Sequence, residues 1–285
     1  MKIADVEISS PYMNGACSVA KTVDDVQALC NTKVGVVLVG SITVEAREGN
    51  AEPRWFVGDG YALNSFGMPN GGIPFYKSKL PEMAEMAHKS GKKLALSVAG
   101  FSTAEYVELA ELAANSSVDL LELNFGCPNV SVDGKQKPIV SFDTTTMQEI
   151  IRSVAGVTTI PLMIKLSPYS NPAQLKEVAQ VLATTDLVTA VVTSNTFPNG
   201  YESKDEAPVL ASTYGGVSGS AMRAIAVGQV KQFRDALPDR IAVIGVGGIE
   251  SIDNARQFFA AGASMVQCAT LIVRDGHAAI DRVIQ

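Results

Sequence analysis

The chain has 285 residues, of which 47% are hydrophobic and 18% are charged, a balance that supports a large core and argues against intrinsic disorder. The formal net charge is -6, and no cluster of lysine or arginine could neutralise the phosphates of a nucleic acid, so we predict no nucleic-acid partner. No segment reaches the roughly 18 consecutive apolar residues of a membrane span, and residues 1–10 lack the apolar centre of an export signal. We therefore expect a cytoplasmic protein with no membrane partner.

The 4 cysteines and 2 histidines are scattered along the chain without CxxC spacing, which argues against a metal site and against a disulfide framework. We predict that no metal is bound and that the thiols are reduced. Any special cysteine is then special for its reactivity.

Short apolar, β-branched segments alternate with segments of helical periodicity, a pattern that is typical of a parallel sheet. Helical periodicity is clear in 103–115 and 171–183, each of which opens with a capping residue. No GxGxxG follows the first strand, as an open dinucleotide-binding sheet would require, so the pattern favours a single-domain α/β protein, a (β/α)₈ TIM barrel spanning 1–285. The predicted strands are 11–16, 34–40, 94–100, 120–126, 161–167, 190–195, 241–247 and 264–270.

Two connections, 41–75 after the second strand and 195–220 after the sixth, are too long to be simple loops. Both leave the carboxyl ends of strands, which is the face where barrel enzymes carry their chemistry. We predict that these two segments cover an active site.

The segment 121–129 (LELNFGCPN) ends a predicted strand with two amide side chains on either side of a thiol. Asn124 and Asn129 can each donate and accept hydrogen bonds, so they can recognise a ring with alternating C=O and N–H groups. A cysteine in such a turn is commonly a small buried hydrophobic residue. Because Cys127 lies at the catalytic rim between two polar side chains, we predict a reactive role for it.

Further polar and glycine-rich segments also lie at strand ends. The segment 64–72 (NSFGMPNGG) could form an anion nest from main-chain N–H groups or a plain surface turn, and 193–196 (TSNT) brings amide and hydroxyl groups to the same rim. Glycine-rich 245–249 and the segment 267–270 follow strands seven and eight, where barrels commonly bind phosphate. Lys165, inside an apolar segment, needs an anionic or electron-rich partner such as a reduced flavin.

Taken in order, these motifs resemble the soluble class of dihydroorotate dehydrogenases. The resemblance rests on 11–14 (PYMN), 47–54 (REGNAEPR), 64–70 (NSFGMPN), 124–129 (NFGCPN) and 247–250 (GGIE). Because the position of the catalytic base is a cysteine, Cys127, the chain resembles the fumarate-linked, homodimeric subclass in particular.

The resemblance implies an FMN-dependent oxidation of dihydroorotate to orotate in pyrimidine biosynthesis, with fumarate as electron acceptor and a homodimer as the assembly. Cys127 would take a proton from carbon 5 of dihydroorotate while carbon 6 passes a hydride to FMN. The resemblance assigns the pyrimidine to Asn64, Gly67, Met68, Asn124, Asn129, Asn195 and Thr196. It assigns FMN to Ala16, Ser41, Lys165, Gly216, Gly247, Gly248, Ala269 and Thr270.

The chain departs from the family pattern at Gly40, where the family has a lysine near flavin and substrate. We expect the missing cation to weaken dihydroorotate binding, and we expect Gly40→Lys to tighten orotate binding provided that the longer side chain fits without displacing FMN. Otherwise another cation such as Arg54, or the loop at Gly67 alone, serves the carboxylate. Two alternatives therefore stay open: a flavin oxidoreductase acting on a related dihydropyrimidine or enoate without the carboxylate, and a non-catalytic flavin-binding barrel. Smaller departures lie at Gly126, Thr196 and Ala269.

Overall fold

The computed structural model describes residues 1–129, 131–132, 135–136 and 138–284. Parallel strands close into a barrel in which each strand is hydrogen bonded to the next in chain order and the last pairs with the first, as the sequence predicts. The barrel strands are β1 Tyr12–Asn14, β2 Val36–Ile42, β3 Lys93–Val98, β4 Leu120–Asn124, β5 Leu162–Lys165, β6 Val188–Val192, β7 Ala242–Val246 and β8 Met265–Cys268.

A helix follows each barrel strand and covers the outside of the barrel. The predicted helices 103–115 and 171–183 are confirmed, but the cap of the first is Ser102, whose Oγ accepts a hydrogen bond from Glu105 N, rather than Thr103. The helices are α1 Val23–Cys30, α2 Gly72–Lys89, α3 Thr103–Ala114, α4 Thr144–Ala155, α5 Pro172–Ala183, α6 Arg223–Ala236, α7 Ile252–Ala260 and α8 Thr270–Asp275.

The core has two layers, one between the strands and the helices and one inside the barrel. Side chains such as Met163 and Met265 fill the interior, and a short N-terminal hairpin places Ile3 and Ile8 in the same cluster. With the interior filled, the carboxyl ends of the strands form the mouth where a ligand can bind. Among the described residues, no helix is both long and apolar enough to cross a bilayer.

The two long connections are not irregular, although sequence analysis gave them no regular structure of their own. Their strands pair as one antiparallel sheet in the order Phe197–Gly200, Gly215–Ser218, Ala62–Asn64 and Trp55–Val57. The first connection also ends earlier than predicted, because α2 begins at Gly72. The sheet ties the segment after β2 to the segment after β6.

Strand boundaries at the mouth differ from the predicted ones. The predicted strand 190–195 is Val188–Val192, so residues 193–196 leave the sheet, whereas β2 continues to Ile42 and keeps Ser41 within the strand. In the segment after Val192, Ser194 Oγ donates to Val246 O at 2.9 Å, which joins this segment to the end of β7.

Candidate active site

Two adjoining compartments open at the mouth of the barrel and share Ala16 and Asn195 in their walls. The first compartment lies over the ends of β7 and β8. The second lies over the ends of β1, β2 and β4, under the segment 64–69. The first contains Ala16, Lys165, Gly247, Gly248, Ala269 and Thr270, and the second contains Asn64, Gly67, Met68, Asn124, Cys127, Asn129 and Asn195.

The three remaining predicted residues also lie at or directly behind the walls of these compartments. Thr196, assigned to the pyrimidine, lines the first compartment. Ser41, assigned to FMN, lines the second. Gly216 is behind Thr196, where a Cβ would collide with the threonine hydroxyl, and its carbonyl accepts a hydrogen bond from Asn64 Nδ2 at 3.2 Å.

The wall of the first compartment contains a turn of main chain that excludes side chains. Gly247 and Gly248 have φ values of +127° and +72°, which favour glycine, and a Cβ at Gly248 would lie 2.6 Å from Gly219 O. Such a turn lets a ligand approach main-chain N–H groups closely. This cradle fits a phosphate group.

One hydroxyl of this compartment lacks a partner. Thr196 Oγ1 is buried and, within the described part of the chain, makes no hydrogen bond. Buried polar atoms are nearly always satisfied, so a bound ligand is the expected partner. The orphaned hydroxyl and the glycine cradle together fit a polar, phosphate-bearing cofactor.

Lys165 belongs to a chain of buried polar groups that crosses the barrel. Its Nζ donates to Gln267 Oε1 at 3.4 Å, and Gln267 Nε2 donates to Glu122 Oε2 at 2.8 Å. Ser97 Oγ donates to Glu122 Oε1 at 2.8 Å and lies 2.8 Å from Ser41 Oγ. The chain therefore connects the lysine of the first compartment to the wall of the second.

Asparagine side chains line the second compartment and fix one another. Asn129 Nδ2 donates to Asn64 O at 2.8 Å and to Asn64 Oδ1 at 3.0 Å. Asn195 Nδ2 donates to Asn124 Oδ1 at 3.2 Å, and Asn124 Nδ2 donates to Ser41 Oγ at 2.8 Å. These bonds hold the amides in defined orientations, as recognition of a polar ring requires.

Two thiols line this compartment, Cys127 and Cys17. Cys127 is partly exposed and packs against the small cluster formed by Met68 and Ala99. Burial raises the pKa of Cys17 to about 11, although Lys21 and Lys165 act against that rise. This direction disfavours Cys17 as a base near neutral pH, and the role of Cys127 as the base stays a prediction.

The expected gain in orotate binding from Gly40→Lys requires room for the lysine side chain, and the structure does not provide it. Gly40 has a φ of +119°, and a Cβ there would collide with Ser97 O, so its site has no room for a side chain. Arg54 does not line either compartment, and its guanidinium pairs with Glu52 Oε1 at 2.6 Å and donates to Glu48 O at 2.9 Å.

Sequence analysis missed Lys21, a buried residue that lines the second compartment. Its Nζ donates to Ser41 O at 2.8 Å, beside Gly40. The available signal was its position directly before Thr22, the N-cap of α1, on the connection that leaves the carboxyl end of β1. A cation on the connection after β1 lies at the mouth of the barrel, as a cation at the end of β2 would.

A family model described as dihydroorotate dehydrogenase matches residues 1–285. The chain is 31% identical over 288 residues to dihydroorotate dehydrogenase A (fumarate) of Lactococcus lactis. The aligned region covers 99% of this chain and 90% of that protein. The chain is 32% identical over 291 residues, with the same coverage, to dihydroorotate dehydrogenase (fumarate) of Trypanosoma cruzi. The solved structure of DHODH in complex with ferulenol from Eimeria tenella has the same fold, with a TM-score of 0.82 and 21% identity over 99% of this chain and 81% of that chain. The chain is an oxidoreductase that belongs to the dihydroorotate dehydrogenase family.

Proposed function

We propose that this protein oxidises dihydroorotate to orotate with FMN as its cofactor and Cys127 as the base. The observation that carries the proposal is the pair of adjoining compartments, one with a phosphate cradle and the other with a thiol among fixed amides. The family membership supports the reaction, and the geometry supports the assignment of residues.

Members of this family are flavoproteins, and the first compartment suits a flavin with a single phosphate. Gly247 and Gly248 would hold the phosphate, Thr196 Oγ1 would gain a partner, and Lys165 would lie beside the ring. FMN rather than FAD is expected because the strand-seven and strand-eight ends offer one phosphate cradle. When bound, FMN would accept the hydride that leaves carbon 6, chemistry that no side chain can supply.

The second compartment suits the pyrimidine. Asn64, Asn124, Asn129 and Asn195 offer donors and acceptors for the ring C=O and N–H groups. Cys127 takes the proton from carbon 5, a role that a thiol with a reference pKa of about 8.5 can fill near neutral pH when its site favours the thiolate.

Fumarate is the proposed electron acceptor, because the relatives from Lactococcus lactis and Trypanosoma cruzi carry it in their names. A homodimer is the proposed assembly, on the resemblance to the fumarate-linked subclass.

Anaerobic mixing of the purified, yellow protein with a panel of dihydropyrimidines tests the function. We expect dihydroorotate to bleach the flavin fastest and to yield one orotate per FMN, with dihydrouracil and dihydrothymine much slower. Faster bleaching by a ring without a carboxylate would favour the alternative flavin oxidoreductase. Bleaching by none of them, with FMN bound, would favour a non-catalytic barrel.

A further inference from the structure

Resting on the proposed function, we infer that Lys21 is the residue that recognises the substrate carboxylate, from the connection after β1. It would replace, from a different strand end, the cation that Gly40 lacks. Lys21 would thereby determine the preference for a carboxylated ring over a plain dihydropyrimidine.

The position of Lys21 relative to Gly40 is the first support. Gly40 N donates to Ala20 O at 2.9 Å, and Lys21 Nζ donates to Ser41 O at 2.8 Å, so the two segments run side by side. The ammonium group therefore lies next to the main chain of Gly40, in the compartment that also contains Cys127 and Asn64.

The second support is that Lys21 is a buried cation that forms no salt bridge within the part of the chain that the structure describes. Its side chain is largely buried, and among the described residues no carboxylate forms a salt bridge with its Nζ. An ammonium group has three donors, and Ser41 O accepts one of them. A buried charge is costly unless it is paired, so an anionic ligand is the expected partner.

The third support is that the main chain of Lys21 is held in place on both sides. Asp25 Oδ2 accepts hydrogen bonds from Lys21 N and Thr22 N, both at 2.9 Å, and Tyr76 Oη donates to Lys21 O at 3.2 Å. His277 Nε2 contacts Asp25 Oδ1 at 3.3 Å and ties this segment to the C-terminal part of the chain. A fixed main chain presents the ammonium group at little entropic cost, as a specificity residue requires.

Charge also points to the reacting centre. Burial lowers the pKa of Lys21 to about 8, although the Asp25 carboxylate acts to raise it. The ammonium group lines the same compartment as both thiols. A carboxylate bound to Lys21 would hold the ring beside Cys127.

The test compares Lys21→Met with Lys77→Met, in which an exposed lysine on α2 receives the same substitution. Each FMN-loaded protein is titrated with orotate and with uracil while the flavin spectrum is followed. We expect Lys21→Met to weaken orotate binding roughly ten- to hundredfold, the range of a charge-assisted hydrogen bond, and to leave uracil binding unchanged. Lys77→Met should match the unmodified protein, and Lys21→Arg should retain most of the orotate affinity.

Equal orotate affinity in Lys21→Met and the unmodified protein would overturn the inference. So would a parallel loss for orotate and uracil, which would mean that Lys21 supports the flavin or the fold. Lys21→Gln, which keeps a polar head, is the second variant if Lys21→Met does not fold.

A second measurement separates this inference from the proposed function. Cys127 is alkylated with iodoacetate, which carries a carboxylate, and with neutral iodoacetamide, and the modified peptide is quantified by mass spectrometry. We expect Lys21→Met to lower the ratio of the two rates severalfold even if dihydroorotate is not the substrate. If Lys21→Met lowers this ratio but the unmodified protein does not bind orotate, the proposed function alone is overturned. If Lys21→Met changes neither the ratio nor orotate binding, the role of Lys21 is overturned.

Discussion

The two compartments at the barrel mouth hold their ligand-binding groups in different ways. The first depends on main chain, with Gly247 and Gly248 in conformations that exclude side chains. The second depends on side chains from separate connections, such as Asn129 bonded to Asn64 across the chain. The comparison teaches that a phosphate cradle needs only a correct backbone, whereas the ring-binding site needs several segments to meet in one place.

The largest expected effect is in the second compartment. Cys127→Ser should keep FMN but slow flavin reduction by dihydroorotate about 10²- to 10⁴-fold, because a hydroxyl is a far weaker base than a thiol. Stopped-flow absorbance gives the rate. The matched control is Cys17→Ser, the other thiol of this compartment, for which we expect a change of no more than a few fold. If Cys17→Ser slowed flavin reduction and Cys127→Ser did not, Cys17 rather than Cys127 would be the base.

A substitution at Gly40 tests whether the wall of the second compartment also depends on the conformation of the main chain. Gly40→Lys should lower the free energy of unfolding by about 1–3 kcal/mol more than Gly91→Lys, because both glycines have positive φ but a Cβ at Gly91 meets nothing within 4 Å. Urea denaturation of the two variants measures the difference. Equal losses would show that the wall at Gly40 can move aside.

A substitution at Thr196 tests how much a side chain contributes to FMN binding in the first compartment. Thr196→Val should weaken FMN binding about fivefold, since it removes one hydrogen bond worth about 1 kcal/mol, without destabilising the FMN-free protein. Thr196→Ser, which keeps the hydroxyl, is the control. Fluorescence titration with FMN and thermal unfolding of the FMN-free protein provide the two values, and a loss of stability without a loss of FMN affinity would contradict a ligand-binding role.

The smallest expected effect is a pH dependence confined to the second compartment. The pKa of Lys21 is lowered to about 8 by burial, so the ammonium group is present below that pH and is lost as the pH rises through it. Orotate binding should therefore weaken about fourfold from pH 7 to pH 8.5, whereas FMN binding should not follow this curve. Lys21→Arg, which stays charged, should remove the dependence, and a variant with an unchanged curve would assign it to Cys127 or another group.

Sequence analysis predicted the barrel because its signals are local. Each barrel strand is an apolar segment, and each helix that follows has its own period, so neither depends on distant contacts. The antiparallel sheet over the mouth was missed because its strands, such as Ala62–Asn64 and Gly215–Ser218, are short and pair across more than half of the chain. Nothing in either segment alone indicates that pairing.

The candidate site was predictable where strand order fixes position. Asn124 and Cys127 follow β4 directly, and Gly247 follows β7, so their places at the mouth required only the barrel. The compartments of Thr196 and Ser41 depend on side-chain direction at irregular strand ends, which no sequence pattern gives. Lys21 was missed because its burial depends on a side chain that reaches across to the carbonyl of Ser41.

A crystal structure of the FMN-loaded protein with orotate tests most directly the claim that the two compartments divide cofactor and substrate between them. The account predicts the phosphate of FMN at Gly247 and Gly248, and the orotate ring among the amides around Asn129 with carbon 5 facing Cys127 Sγ. The carboxylate should lie within hydrogen-bonding distance of Lys21 Nζ. Orotate in the first compartment, or in the second with carbon 5 turned away from Cys127, would contradict it.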